Sequence, residues 1–202
     1  LPGDKVEVLR RQTGTSGLNG LENMLDALGM GLVNLSSFGS LKVQNMNLAS
    51  ESYLCYSVGI DFQTASIGIS ENWPYWEKYI GQQTEPLKAS DIPSDEKIIA
   101  MADEFLSQHG VSRANYGTPE VEKLQLGIMA ETRSSADIAS FPMQEAYQVI
   151  YPLQINSQPV YDEGGNINGL SVNINIRAMR ASGLWNLTSQ SYDSSSYAAQ
   201  TD

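Results

Sequence analysis

The segment YLCYSVGIDFQTASIGIS, residues 53–70, decides the fold class of this 202-residue chain. Its apolar side chains stand at every second position, namely Leu54, Tyr56, Val58, Ile60, Phe62, then Ala65, Ile67 and Ile69. Period-two alternation is typical of strands that bury one face. Asp61 to Thr64 would turn the chain between the two halves. The segment therefore predicts a β-hairpin, and residues 41–48 are predicted to form a strand before it.

The same alternation returns in the C-terminal half of the chain. Residues 146–151 predict a strand that Pro152 ends, and residues 171–178 predict a longer strand. In the longer strand Val172, Ile174, Ile176 and Ala178 face one way, and Ser171, Asn173, Asn175 and Arg177 face the other. The polar side is expected to be solvated or to form a wall that faces a ligand.

Two segments predict amphipathic helices. Residues 18–28 carry leucine and methionine at helical spacing, and this helix would either pack on a sheet or dock a partner. A second helix is predicted after Ser94, a good N-cap residue, and before Gly110, which tolerates the left-handed conformation that ends helices. His109 lies in its last turn, beside unpaired carbonyls, so a capping role is predicted rather than catalysis.

The order helix, strands, linker, helix, strands predicts an α+β fold with antiparallel sheets and few helices. It also allows two related helix-plus-sheet lobes. The predicted domains are an N-terminal extension with a short amphipathic helix at residues 1–40, a β-rich lobe at 41–90 and an α+β lobe at 91–202. Residues 81–93 have the composition of a linker or long loop.

The net charge of the chain limits which classes of partner are expected. The formal net charge is −11, with 12 basic and 23 acidic residues. Such a chain repels nucleic-acid phosphates and anionic lipid surfaces, so neither is an expected partner. No stretch approaches 18 apolar residues, so no transmembrane segment is predicted. The sequence begins with Leu rather than Met, and we expect that an N-terminal signal or anchor has been removed.

Familiar catalytic and metal-binding patterns do not occur in this sequence. His109 and Cys55 are the single histidine and the single cysteine, and neither belongs to such a pattern. Cys55 is predicted to be a half-buried, inert thiol on the more polar side of its strand. No serine-hydrolase or dinucleotide fingerprint occurs. No catalytic residue, metal or cofactor is therefore predicted, although a pair of carboxylates could still meet in space.

One loop has some of the residues of a calcium site. Asp162, Asn166 and Asn168 stand at positions one, five and seven of a candidate loop, and calcium is bound by such oxygens. Position three is Gly164 and position twelve is Asn173, where a calcium loop needs oxygen ligands and glutamate. A hairpin turn built from Asp, Gly and Asn explains the same residues.

An aromatic cluster surrounds Pro74. Trp73, Tyr75 and Trp76 flank it, and Tyr79 follows. These four aromatic residues are the candidate partner-binding residues. They could instead close one end of the core, because Trp and Tyr bury large areas and keep a polar group.

Residues 94–178 carry a family resemblance. The helix DEKIIAMADEFL, residues 95–106, precedes antiparallel strands, and a later strand ends in VYDEGGNI, residues 160–167. This arrangement resembles the PepSY pattern and is similar to the extracytoplasmic domains of YycH/YycI-type regulators of histidine kinases. The resemblance implies a secreted or membrane-tethered, non-enzymatic domain that binds or inhibits another protein. DFQTASI, residues 61–67, is similar to the same turn, which would imply two related lobes.

The sequence thus predicts a non-enzymatic binding or regulatory domain outside the cytoplasm, tethered by a missing N-terminal segment. Its expected partner is a protein or a component of the cell envelope. Two alternatives stay open: a hydrolase that uses a carboxylate pair, and a carbohydrate-binding module that uses Trp73 and Trp76.

Overall fold

The computed structural model describes residues 5–11, 44–51, 54–61, 63–64, 66–80, 85–122, 143–161, 165–188 and 192–198. The helix predicted at residues 18–28 lies outside these ranges, as do residues 162–164 of the candidate calcium loop.

In the described part of the chain there are eleven strands and two α-helices. The strands are β1 (Lys5–Arg11), β2 (Asn45–Ala49), β3 (Tyr56–Asp61), β4 (Ser66–Glu71), β5 (Glu120–Val121), β6 (Ala146–Pro152), β7 (Gln154–Ile155), β8 (Gln158–Pro159), β9 (Gly169–Asn175), β10 (Arg180–Thr188) and β11 (Tyr192–Ala198). The helices are α1 (Trp73–Ile80) and α2 (Asp95–Gln108), and a 3-10 turn spans Ala89–Asp91.

Seven of the strands form one antiparallel sheet in the order β2-β3-β4-β10-β9-β6-β5. Strands β1 and β11 pair with each other, and β7 pairs with β8. The predicted α+β class, with antiparallel sheets and few helices, is confirmed. The sheet joins strands from residues 41–90 and from residues 91–202, because β4 pairs with β10.

The predicted hairpin is confirmed in both strands and turn. Strand β3 pairs with β4 from Tyr56 opposite Glu71 to Asp61 opposite Ser66. The turn is held by the Asp61 carboxylate, whose Oδ1 accepts the backbone N–H groups of Gln63 at 2.7 Å and Thr64 at 3.1 Å. An aspartate that accepts from residues two and three positions ahead forms an Asx-type turn, which is the local reason the chain reverses here.

Helix α2 packs on the apolar face of the sheet. Its buried residues are Ile98, Ala102, Phe105 and Leu106. From the sheet, the buried apolar residues are Tyr56, Val58, Ile60, Ile67, Ile69, Tyr147, Val149, Tyr151, Leu170, Val172, Ile174, Ala181 and Leu184. Ile176 joins them from the turn after β9. Ser94 is the N-cap residue and Gly110 follows the helix at φ +68°, as the sequence predicted.

Helix α1 was not expected from the sequence. Pro74 is its second residue, and a proline is tolerated in the first turn because the N–H it lacks has no helical partner there. Trp76 anchors the helix: its side chain is fully buried, and its indole N–H donates to the Cys55 carbonyl oxygen at 2.7 Å.

Two predictions about the polar sides of strands need correction. Ser171 and Asn175 were expected on a solvated or ligand-facing side, but both are buried. The strand also ends at Asn175, because its side-chain Oδ1 accepts the N–H of Ala178 at 3.0 Å and turns the chain. Cys55 is buried rather than half-buried, and it lies directly before β3, where its backbone carbonyl accepts the indole N–H of Trp76.

Candidate functional site

The second face of the large sheet carries small and polar residues. Across three strands the register sets Asn47 opposite Gly59, and Gly59 opposite Gly68. One residue row further along, Ser57 stands opposite Ser70. Because these five residues lack bulky side chains, the backbone of the sheet is accessible to another group that packs on this face.

Trp185 lies on this face because it follows Leu184, whose side chain is buried on the other face, and successive residues of a strand point to opposite faces. A bulge in β10 begins at Trp185. Leu184 pairs with Ile69 and Leu187 pairs with Ile67, so Trp185 and Asn186 together stand opposite Gly68. A bulge places two residues opposite one and re-aims the side chains beside it. Asn186 takes φ +60°, the left-handed conformation that asparagine tolerates.

The indole of Trp185 lies along the sheet over two glycines. A Cβ at Gly68 would lie 3.1 Å from ring carbons Cε3 and Cζ3, and a Cβ at Gly183 would lie 3.3 Å from Nε1. Cε3 and Cζ3 belong to the six-membered ring of the indole and Nε1 belongs to its five-membered ring. The indole therefore lies across the backbone rather than projecting from it. Trp185 nevertheless keeps 42% of its surface exposed.

A groove of about 520 Å³ surrounds the indole. Its described lining includes the polar residues Asn45, Asn47, Ser57, Asp61, Ser66, Ser70 and Asn186. The Asp61 carboxylate is engaged in the hairpin turn, and Ser66 shares a hydrogen bond of 2.7 Å with Thr64. The structure gives Asn47, Ser57 and Ser70 no side-chain hydrogen bond among the described residues, so their polar groups are available to a ligand.

The four aromatic residues predicted as a binding surface are not equivalent. Trp73 is 55% exposed at the start of α1, and Tyr75 is half-buried. Trp76 is in the core, where its ring packs against Tyr56 with centroids 5.9 Å apart. The side chain of Tyr79 lies outside the described residues. Of the three described, Trp73 and Tyr75 therefore keep surface for a partner, and Trp76 holds the helix.

Asp103 is held by two partners between α2 and the sheet. The Tyr151 hydroxyl donates to Asp103 Oδ1 at 2.7 Å, and the Arg113 guanidinium forms an ion pair with the same oxygen. Burial, followed by the hydrogen bond to Asp103 and its charge, raises the pKa of Tyr151 above its usual value. The triad ties the helix to β6 and leaves Asp103 committed to structure.

Arg180 stacks on two aromatic rings at one end of the sheet. Its guanidinium carbon lies 5.5 Å from the Tyr56 ring centroid and 5.7 Å from that of Trp76. Its Nη2 donates to the Tyr56 hydroxyl at 2.9 Å, and that hydroxyl donates to the Ala181 carbonyl at 2.7 Å. This chain of bonds fixes Arg180 beside a hollow of about 360 Å³.

His109 occupies the C-cap position of α2, where the sequence predicted it. Its backbone N–H donates to the Phe105 carbonyl at 3.2 Å. The imidazole packs edge-on against the Phe105 ring, and its buried Nδ1 has no hydrogen-bond partner within the described structure. Burial, and then the charge of Arg180, lowers the pKa of His109. The side chain is therefore a neutral packing group.

Two glutamates influence each other at the same end of the sheet. Burial, and then the negative charge of Glu145, raises the pKa of Glu71. Glu145 itself accepts a hydrogen bond of 2.7 Å from Arg177 Nε, and Arg177 Nη2 donates to the Glu85 carbonyl at 2.6 Å. Glu71 thus has a raised pKa, while Glu145 has a cationic partner in Arg177.

Across the described ranges, no group of three or more His, Cys, Asp or Glu side chains is arranged to hold a metal ion. Neither helix in the described part of the chain has the length and apolar character needed to cross a bilayer. Comparisons with family models, with curated proteins and with solved structures find no match to this chain.

Sequence reasoning missed Trp185 and the groove around it. One signal was present: Gly59, Gly68 and Gly183 interrupt strand-like sequence, and glycine inside a strand marks a bulge or a close approach of another group. The group that approaches Gly68 and Gly183 is the indole of Trp185.

Proposed function

We propose that this protein is a non-enzymatic binding or regulatory domain that acts outside the cytoplasm, secreted or tethered to a membrane. Its partner is a protein or a component of the cell envelope. The observation that carries the proposal is the groove on the second face of the sheet, where Trp185 is exposed among amide and hydroxyl groups. An exposed aromatic ring with convergent polar groups is typical of a binding site.

The positions of the titratable groups support binding rather than turnover. Asp103 is bonded to Tyr151 and Arg113, and the His109 ring packs on Phe105. These groups do not line the Trp185 groove. The described lining has one carboxylate, Asp61, whose oxygen accepts two backbone N–H groups of the turn. A general acid or base must reach the atom to or from which it transfers a proton, and no other carboxylate and no imidazole is among the described residues of the lining.

The location outside the cytoplasm is supported by sequence features alone. The resemblance of residues 94–178 to PepSY-type and YycH/YycI-type domains favours an extracytoplasmic regulator. A net charge of −11 favours solubility and disfavours nucleic acid. The location is tested by tagging the full-length gene product in its own host and measuring whether added protease digests the tag on intact cells or in their periplasm.

Binding is tested with the purified chain immobilised beside two variants. Wild type is exposed to separated protein and glycan fractions of the cell envelope, and retained material is quantified. We expect saturable retention that Trp185→Ala reduces at least about tenfold. Tyr161→Ala, which removes an exposed aromatic ring outside the groove, is the matched control for loss of an aromatic side chain. Equal retention by wild type and Trp185→Ala would reject this groove as the binding surface.

A hydrolase that uses a carboxylate pair is the second candidate, and one observation favours it. Glu71 has a raised pKa and Glu145 lies close enough for its charge to contribute. Glycoside cleavage uses two carboxyl groups, one as the acid and one as the base or nucleophile, and the acid has a raised pKa. Release of reducing sugar from envelope glycans by wild type, and its loss in Glu71→Gln, would establish this activity in place of simple binding.

A further inference from the structure

We propose that the Trp185 groove binds a neutral saccharide, with the C–H face of a sugar ring stacked on the exposed face of the indole. This inference rests on the proposed binding function of the same groove and gives its ligand a chemical class. It differs from the sequence-based carbohydrate hypothesis in its residues, since that hypothesis used Trp73 and Trp76.

The first argument is the immobility of the indole. Gly68 lies close to the six-membered ring of the indole, and Gly183 lies close to Nε1 of the five-membered ring. The bulge at Trp185 and Asn186 fixes where the side chain leaves the strand. A ring seated on backbone has few alternative positions. It therefore presents a flat apolar surface to a ligand at little entropic cost. The apolar face of a pyranose is flat and of comparable width, so the two surfaces match.

The second argument is the chemistry around the ring. The Asn47 amide offers two donors and a carbonyl acceptor, and the hydroxyls of Ser57 and Ser70 both donate and accept. All three are in the groove and have no other side-chain partner among the described residues. Sugar hydroxyls are likewise donors and acceptors at once, so every hydroxyl orientation finds a complementary group.

The third argument is charge. Among the described residues that line the groove, none is Lys, Arg or His, and the Asp61 carboxylate already accepts two backbone N–H groups. A sulfated, phosphorylated or uronic-acid glycan would find no cation to pair with, and the net charge of −11 would repel it. A cationic ligand would likewise lack a free carboxylate. The complementary ligand is uncharged.

The fourth argument distinguishes a saccharide from a protein surface. Protein interfaces gather their binding energy in central apolar and aromatic clusters that fill pockets. Here Val58, Ile60 and Ile67 belong to the buried core, so they offer the groove little side-chain surface. The described lining of the groove instead has one aromatic ring, Trp185, surrounded mainly by amide and hydroxyl groups, so it does not form such a cluster.

The experiment is calorimetric titration of the full chain with four neutral tetrasaccharides, built of β-linked glucose, β-linked N-acetylglucosamine, α-linked glucose and α-linked mannose. Tetragalacturonate is the charged comparison. We expect binding of at least one neutral probe at millimolar concentration, none of tetragalacturonate, and a loss of about tenfold or more in Trp185→Ala. Trp185→Phe should retain part of the affinity, because it keeps an aromatic face.

Controls separate folding from binding. Tyr161→Ala, which removes an exposed aromatic ring that does not line the groove, should bind as wild type. Each variant is checked by its melting temperature and near-ultraviolet circular dichroism. Asn47→Ala, which leaves the indole in place, should weaken binding several-fold even if Trp185→Ala fails to fold.

Two failures are distinguishable. If no neutral probe binds but envelope protein is still retained in a Trp185-dependent way, the saccharide inference is wrong and the binding function stands. If neither a probe nor any envelope fraction binds, both are wrong. Equal affinity of wild type and Trp185→Ala for a probe would also overturn the inference.

Discussion

The indole of Trp185 lies over Gly68, so close that a Cβ at position 68 would be 3.1 Å from two of its ring carbons. The strand β4 therefore has glycine where an ordinary residue would lift the tryptophan off the sheet. The relationship makes the position of the exposed ring depend on a residue of a neighbouring strand, and it can be tested by substitution.

Gly68→Ala should displace the indole, whereas Gly59→Ala should not. The added methyl at 68 meets a ring seated on backbone, while a methyl at 59 meets the movable Asn47 side chain at 3.3 Å. Overpacking costs about 1–3 kcal/mol, and here we expect the lower end. The measurement is urea unfolding together with tryptophan emission. In a Trp185→Ala background the cost of Gly68→Ala should vanish, and persistence of that cost would contradict the contact.

Trp76→Ala should destabilise the protein strongly, and Trp73→Ala should barely change it. Trp76 is fully buried and donates to the Cys55 carbonyl, so its removal leaves a cavity and an unpaired acceptor. The expected cost is about 3–5 kcal/mol. The exposed Trp73 should change stability by less than about 0.5 kcal/mol. Guanidinium unfolding compares the two, and equal effects would refute the different roles.

Two tyrosines of β6 provide a matched test of one hydrogen bond. Tyr151→Phe removes a hydroxyl that donates to Asp103, and it should cost about 1 kcal/mol. Tyr147→Phe removes a buried hydroxyl that has no partner in the described structure, so it should be neutral or stabilising. Both changes delete one oxygen from the same strand. Unfolding midpoints in urea measure the difference, and a greater loss in Tyr147→Phe would contradict the assignment.

Glu71→Gln should stabilise the protein at neutral pH and lose that advantage in acid. Burial and the charge of Glu145 raise the pKa of Glu71 above 4.5, so the folded protein holds this proton more tightly than the unfolded chain does. The contribution of Glu71 to stability is therefore present below 4.5 and is lost as pH rises through the folded pKa. Melting temperatures from about pH 4 to pH 8 measure it. Glu77→Gln, which removes an exposed carboxylate, is the control for loss of one negative charge.

His109 should titrate below 6.5 in the folded protein, because burial and then the charge of Arg180 lower its pKa. The unfolded chain takes up the proton first, so this residue lowers stability as pH falls through 6.5. It is the single histidine, so one imidazole resonance in proton NMR gives the value directly. Arg180→Met should raise the pKa, while Arg177→Met serves as the control. A pKa above 6.5 in wild type would refute the buried position.

Local sequence patterns predicted much of the secondary structure. The hairpin of β3 and β4 follows from strict alternation and from Asp61, and helix α2 follows from apolar residues at helical spacing between Ser94 and Gly110. These features can be predicted from the sequence because each depends on residues only a few positions apart. Helix α1 could not be predicted in this way, because eight residues that include a proline are too short to show a helical pattern. Trp76 fixes this helix through a tertiary contact.

The candidate site depends on contacts that no local pattern contains. That β4 lies beside β10, with Trp185 and Asn186 together opposite Gly68, follows from pairing residues more than a hundred positions apart. Ser171 and Asn175 alternate with apolar residues, which is the pattern of a strand with one solvated side, yet both are buried. The sequence by itself determined the hairpin of β3 and β4, strands β6 and β9, helix α2 and the acidic, low-charge character of the chain, because those properties are local or additive. Only the tertiary structure decided which tryptophan is buried and which is exposed, because burial depends on what the distant chain brings against each face.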